Sequence, residues 1–216
     1  TIGPWVRQQL ARGEREFVFI PFFISTQGAI GSSLHADLTQ LQLERGGWTF
    51  AFTEGLGARG ALPRILAARV RESITALNLA RPHVIVVDHG GPSPISAEVR
   101  NATAGATATL LHGQVAAVSA ASMEGEEHAH NHPLLAEQLR TAGWDRGDVV
   151  VAPLFLSPGR HAGPDGDVAD IIRAAVAETG GASRVHTTGL VGTHPLASTE
   201  LAAALQAHLK PSPLFL

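Results

Sequence analysis

Two histidines and a glutamate in this sequence stand just past apolar segments, where a folded chain can gather side chains from distant positions. His89 follows His83-Val84-Ile85-Val86-Val87-Asp88, and His161 closes Ser157-Pro158-Gly159-Arg160 after the run from Val149 to Leu156. Two neutral imidazoles meeting there could ligate a divalent ion or move a proton near neutrality. Glu124 adds a carboxylate that is either a third ligand or a proton acceptor. Each histidine alone reads more readily as an ordinary hydrogen-bonded loop residue, and Glu124 reads equally as a solvated charge. The equivalent placement of the two histidines after separate strands favours chemistry. A further tract, Glu126-Glu127-His128-Ala129-His130-Asn131-His132, carries His128, His130 and His132 at alternating positions. It is either a metal-gathering segment or a flexible surface run.

The elements that must position these residues form an α/β pattern. Val149 to Leu156 is continuously apolar rather than alternating, which marks a strand buried on both faces of a parallel sheet. Ligands of such sheets bind beyond the carboxyl ends of the strands. Strands are expected at Phe17 to Ile24, Trp48 to Thr53, His83 to Asp88, Val115 to Ala120, Asp148 to Leu156 and Arg184 to Thr188. Helices are expected at Pro4 to Gly13, Ser32 to Arg45 with a serine cap, Ala61 to Leu77, Ser96 to Leu111, Pro133 to Ala142, Asp167 to Glu178 and Pro195 to Leu209. Strands alternating with helices of this length predict βαβ units.

The chain also repeats itself. Phe19 to Ala29 matches Ala152 to His161 from the proline onward, setting Pro21 on Pro153, Ser25 on Ser157 and Ala29 on His161. Thr53-Glu54-Gly55-Leu56-Gly57 likewise resembles Thr188-Gly189-Leu190-Val191-Gly192. An internal duplication follows, with residues 1–80 a partial first repeat and 81–216 a complete second one that alone carries the histidine. The first repeat lacks counterparts of the strands that 83–120 supply. Its sheet edge therefore calls for strands upstream of Thr1 or for pairing with another subunit, such as a homodimer.

Composition narrows the function. A 216-residue chain with 44% hydrophobic residues can bury a substantial core. A net charge of −3 gives no basic field for nucleic acid, and no apolar run approaches the roughly 20 residues of a membrane span. The absence of cysteine excludes disulfides and thiolate metal sites in this chain. No secretory leader is visible, so the cytoplasm is the expected compartment.

Two motifs compete with the histidines. Gly55-Leu56-Gly57-Ala58-Arg59-Gly60 fits the dinucleotide fingerprint and would make an NAD-binding protein, but the acid that should follow, Asp88, lies well beyond the usual roughly 20 residues. His89-Gly90-Gly91 is similar to an esterase oxyanion loop, yet the sequence contains no G-x-S-x-G elbow.

Val-Val-Asp-His-Gly at 86–90, Met-Glu-Gly at 123–125, Pro-Leu-Phe-Leu-Ser-Pro-Gly-Arg-His at 153–161 with the following Asp-Gly-Asp-Val-Ala-Asp-Ile, and Leu-Val-Gly-Thr-His-Pro-Leu at 190–196 occur in that order. Together they resemble the CbiX/SirB-type class II chelatases, the sirohydrochlorin cobalt and iron chelatases. The resemblance covers about 83 to 209 as a full unit and 4 to 77 as a partial one. It departs from the usual pattern at His89-Gly90-Gly91, where His-Gly-Ser is usual, and at Ser122-Met123-Glu124, where Phe-Leu-Glu is usual. In many two-repeat members the amino-terminal unit is the active one, whereas here Ala29 stands in place of its histidine.

The resemblance implies that His89 and His161 bind the incoming metal and help remove pyrrole protons, with Glu124 as the acidic partner. It implies a tetrapyrrole substrate held across the strand ends in a cleft between two units, and no cofactor beyond the divalent metal substrate, Co²⁺, Fe²⁺ or Ni²⁺. Arg160, Gly90, Gly91, Ser157 and the turns at Gly28, Gly57 and Gly192 are the expected contacts for the acidic rim of such a substrate. A non-catalytic cobalt or nickel carrier of the same fold is the alternative.

Overall fold

A computed structural model describes residues 2–24 and 29–209. Ser25 and Gly28 of the expected repeat, and the Pro211-Ser212-Pro213 end, lie outside them. Contacts divide the chain into two compact units, Thr1–Ala58 with Thr199–Leu216, and Arg59–Ser198.

In the first unit, α1 (Ile2–Ala11) precedes β1 (Glu16–Phe19), α2 (Ala29–Arg45) and β2 (Thr49–Phe52). The two strands pair in parallel from Glu16↔Thr49 to Phe19↔Phe52. Val6, Phe17, Leu38, Leu41 and Trp48 form the core here, and the ring of Phe17 meets Trp48 edge-on at 5.5 Å. The strand expected to reach Ile24 stops at Phe19, and α2 begins at Ala29 rather than behind a serine cap.

The second unit opens with α3 (Ala61–Leu77), followed by β3 (His83–Asp88), α4 (Pro94–Leu110), β4 (Ala117–Ser122), α5 (Leu135–Arg140), β5 (Gly147–Pro153), α6 (Asp167–Glu178), β6 (Ser183–Thr187) and the start of α7 (Pro195–Leu209). The division expected at residue 80 groups α3 with the preceding segment. Its buried stripe, Leu62, Ile65, Leu66 and Val70, packs on α4 and β5. No helix among the described residues is long and apolar enough to cross a membrane.

The sheet is wholly parallel in the order β4-β3-β5-β6. Its middle strands are the most apolar because both faces are covered, and Val84 to Val87 and Val149 to Ala152 are fully buried. Side chains alternate across the pleat. Ile85, Val87, Val149 and Val151 therefore meet Leu135 and Leu139 of α5 and Val168 and Ala175 of α6, while the even-numbered neighbours face the α3 and α4 side. The chain steps outward in one direction from β3 to β4 and in the other from β3 through β5 to β6. The order thus reverses between β3 and β5, and the crevice beyond their carboxyl ends is where such sheets bind ligands.

Candidate active site

That crevice holds both expected histidines. His89 directly follows β3, and His161 sits on the loop leaving β5. Their rings meet edge to face with centroids 4.6 Å apart and an interplanar angle of 89°. Both side chains retain solvent access, 46% for His89 and 26% for His161, so an incoming ion can reach either ring.

The loop after β5 is built to present His161. The Asp167 and Val168 amides donate back to the carbonyls of Arg160 and His161 at 3.3 and 3.0 Å. A Cβ on Gly166 would crowd those same carbonyls, so this return of the chain needs glycine. It brings the Asp167 carboxylate 2.6 Å from His161 Nδ1. A carboxylate there holds the proton on Nδ1 and leaves Nε2 as the free lone pair for a metal or a proton. Asp167 was not among the residues expected from sequence, because an acid in the first turn of a helix is ordinary dipole complementation.

On the β3 side, the Glu124 amide donates to the His89 carbonyl at 3.2 Å, extending the β3–β4 ladder past the strands. This sets Glu124 Oε1 3.4 Å from His89 Nδ1. Gly90, at φ 85°, has no room for a side chain, because a Cβ would overlap the Glu124 carbonyl. A cavity of about 610 Å³ opens here, lined among others by His89, Gly90, Gly91, Glu124 and Glu126.

The remaining expected residues fall into place differently. Arg160 is exposed at the edge of the crevice, its Nε 3.8 Å from the Asp167 carboxylate. Ser157 is exposed on the same loop. Gly192 packs against the Leu156 carbonyl, where any side chain would collide. The loop after β6 is held by Arg69 of α3, which donates to the Leu190 carbonyl at 3.2 Å and to Thr193 Oγ1 at 3.0 Å. His194 is enclosed in that loop, with Nδ1 accepting from the Leu196 amide at 3.1 Å and Nε2 facing Glu72 at 3.3 Å.

The histidine tract folds into a 3-10 turn, Ala129–Asn131, and its side chains bind the protein itself. His130 Nε2 lies 2.9 Å from the Gly91 carbonyl, and the His128 and His130 rings stack at 5.3 Å. His132 faces the Glu126 carbonyl and the Glu137 carboxylate with its two ring nitrogens, in that order of effect, and its pKa is raised from the ordinary 6.5. Glu137 is held below its ordinary 4.5, first by the Leu134 amide and then by His132.

A raised histidine contributes stability in full below its unfolded pKa and loses it as pH rises through the folded one. A lowered carboxylate contributes in full above its unfolded pKa and loses it as pH falls through the folded one. Both contributions are therefore complete between 4.5 and 6.5. The expected result is that His132→Gln lowers the unfolding temperature most within that window, by a small and salt-sensitive amount because the pair is exposed. The gap should close above the raised histidine pKa, as thermal melts across pH will show.

The dinucleotide reading does not survive the topology. The strand before Gly55–Gly60 is β2 and the strand ending in Asp88 is β3, and these belong to different sheets, so no βαβ unit joins them. Asp88 is also turned inward, accepting from Ser122 Oγ at 2.7 Å rather than facing a ribose. The first unit has its own cavity of about 580 Å³ beyond β1 and β2, lined among others by Phe23, His35, Phe52 and Glu54. His35 was not anticipated from sequence, and its ring packs on Phe50 and Phe52 at 5.6 and 6.0 Å.

Among the described residues, no three His, Asp or Glu side chains are gathered so as to enclose an ion by themselves. Two imidazoles on one crevice leave most of a metal's coordination sphere to other donors. Such a pair can receive an ion and pass it on.

Comparison with known proteins bears on the family and the fold. A family model described as CbiX matches residues 83–208. Among solved structures, the CbiX described as the terminal enzyme of siroheme biosynthesis in denitrifying bacteria aligns over 93% of this chain and 79% of its own, at 21% identity and a TM-score of 0.65. SirB from Bacillus subtilis with Fe³⁺ aligns over 95% of this chain and 76% of its own, at 12% identity and a TM-score of 0.69. A multi-domain protein of Deinococcus radiodurans with structural similarity to chelatases aligns over 94% of this chain and 44% of its own, at 19% identity and a TM-score of 0.65. No curated protein matches the sequence.

Proposed function

The chain belongs to the CbiX family, and from that premise we propose that it inserts a divalent metal ion, Co²⁺ or Fe²⁺, into a sirohydrochlorin-type tetrapyrrole. The observation that carries this reading is the His89–His161 pair, 4.6 Å apart at the strand-order reversal of a parallel sheet. The reaction exchanges one divalent ion for two pyrrole N–H protons. It needs a ligand that lets go of the ion and acceptors for two protons.

His161 is suited to the first task. Its Nδ1 is held by Asp167, so Nε2 can ligate an ion and exchange it for the macrocycle nitrogens. His89, with Glu124 3.4 Å from Nδ1, is suited to the second, because a proton taken by the imidazole is stabilised by the adjacent carboxylate. Arg160, exposed at the edge of the crevice, is the cation available to a substrate carboxylate.

The test is visible spectroscopy of sirohydrochlorin mixed anaerobically with Co²⁺, Fe²⁺ or Ni²⁺. The expected result is faster metallation than in the protein-free mixture. A protein-free rate together with tight Co²⁺ binding would make the chain a carrier instead. In the same assay Glu124→Gln should slow insertion about tenfold while leaving Co²⁺ affinity nearly unchanged, since the carboxylate acts on the proton more than on the ion.

A further inference from the structure

Arg100 lies on α4 with only 1% of its surface exposed, the one arginine or lysine among the described residues that is buried. We propose that Arg100 is the positioning residue of the metal-transfer site, fixing the His89–Glu124 geometry from beneath. The inference rests on the reading that His89 and Glu124 serve insertion.

The guanidinium reaches the ends of β3 and β4, the two strands that lead to His89 and Glu124. Nη1 donates to Asp88 Oδ1 at 3.4 Å and to Ser122 Oγ. Ser122 Oγ in turn donates to the same Asp88 oxygen at 2.7 Å. Asp88 immediately precedes His89, and Ser122 closes β4 two residues before Glu124. One buried cation therefore ties together the last residues of β3 and β4.

The same group reaches the histidine-rich turn. Nη2 donates to the His130 carbonyl at 2.9 Å, and Nη1 to the Asn131 carbonyl at 3.5 Å. Asn131, itself buried, donates through Nδ2 to the carbonyls of Gly91 at 3.1 Å and Gly125 at 2.9 Å. Gly91 and Gly125 flank His89 and Glu124 on their far sides. A Cβ at Gly125 would overlap the Asn131 amide, so the turn is seated directly against the Glu124 loop. The two site residues are thus held from their strand ends and from the loops beyond, and Arg100 bonds to both sets of supports. A planar fork with five donors can serve these acceptors together, whereas a lysine ammonium cannot span them.

The experiment compares full-length wild type with Arg100→Lys, alone and combined with Glu124→Gln. Thermal unfolding, Co²⁺ affinity and the kcat and KM for sirohydrochlorin are read for each. Arg100→Lys is expected to fold, to lower kcat on the order of 10–100-fold with KM unchanged, and to lose most of that effect in the Glu124→Gln background. Wild-type kcat and Co²⁺ affinity in Arg100→Lys would overturn the proposal, as would a loss that multiplies in full with Glu124→Gln.

Removal of a buried charge from its partner can unfold a protein. If Arg100→Lys fails to fold, Asp88→Asn with Arg100→Met, which buries no unpaired charge, carries the same comparison. A folded double variant with wild-type kinetics would overturn the proposal. If the wild type itself does not insert metal, the functional reading fails and the imidazole nitrogen NMR signals of His89 decide the positioning role. A shift of those signals in the variant supports that role, and unchanged signals contradict it.

Discussion

Replacing His161 by alanine is expected to lower metal insertion on the order of 10²–10⁴-fold, with replacement of His89 costing nearly as much. Neither change should move the thermal unfolding midpoint by more than a few degrees. Both residues stand on loops past the strand ends, outside the core formed by Ile85, Val87, Val149 and Val151 with α5 and α6. Loop residues of this kind contribute little to folding. His161→Ala also leaves no charge stranded in the interior, because the Asp167 side chain is 43% exposed and Arg160 is nearby. Initial rates against metal concentration, with melts as the control, will check both variants. For His161 the defect should persist at saturating metal, since transfer to the macrocycle fails as well as capture.

Asp167→Asn should lower the rate on the order of 10–100-fold at nearly unchanged size and fold. The 2.6 Å contact to His161 Nδ1 is charge-assisted, and an amide replaces it with a neutral partner that can present either oxygen or NH₂. Nε2 is then no longer reserved as the free lone pair. Asp167 also opens α6, where a negative charge favours the helix by about 0.3–1 kcal/mol, so a small stability loss is expected whatever its role at the site. Two measurements separate the roles: imidazole nitrogen NMR of His161, which reports the tautomer, and the kcat–pH profile. A changed melting temperature with an unchanged tautomer population and pH profile would reduce Asp167 to a helix-terminal acid.

Much of this arrangement was legible in the sequence because burial on both faces leaves a plain signature. The runs His83 to Asp88 and Val149 to Leu156 named the two central strands, and these deliver His89 and His161 to one crevice. The helices at Ala61–Leu77, Asp167–Glu178 and Pro195–Leu209 end where their patterns end. β1 was overextended because Phe22, Phe23 and Ile24 continue an apolar run past Pro21. Strand length is set by the partner, and β2 supplies pairing only as far as Phe52. The helix expected at Pro133 to Ala142 shrank to Leu135–Arg140, since its first residues bond to Ser122 and the Glu137 carboxylate instead.

The supporting shell was harder to see. Asp167 carries no spacing that points to His161, and only the return of the chain at Gly166 brings them together. Arg100 did leave a signal that periodicity could have caught. Ala97, Arg100, Ala104 and Thr107 fall on one helical stripe, which placed a cation at a core position among small residues. A buried arginine demands acceptors, and the ends of the two neighbouring strands supply them. The histidine tract looked like a flexible run because alternation of His with Ala and Asn has no helical or strand period. Its order comes from tertiary partners, the Gly91 carbonyl, Arg100 and Glu137.

Whether His89 and His161 act as one site on one ion is tested most directly by a double-mutant cycle on the insertion rate. Residues that operate as a unit lose nearly everything when either is removed, so their losses do not add. The result expected is a His89→Ala, His161→Ala double variant no slower than the worse single variant, with all three folded. Losses that multiply in full would mean two independent sites, and wild-type rates in either single variant would remove that histidine from the reaction.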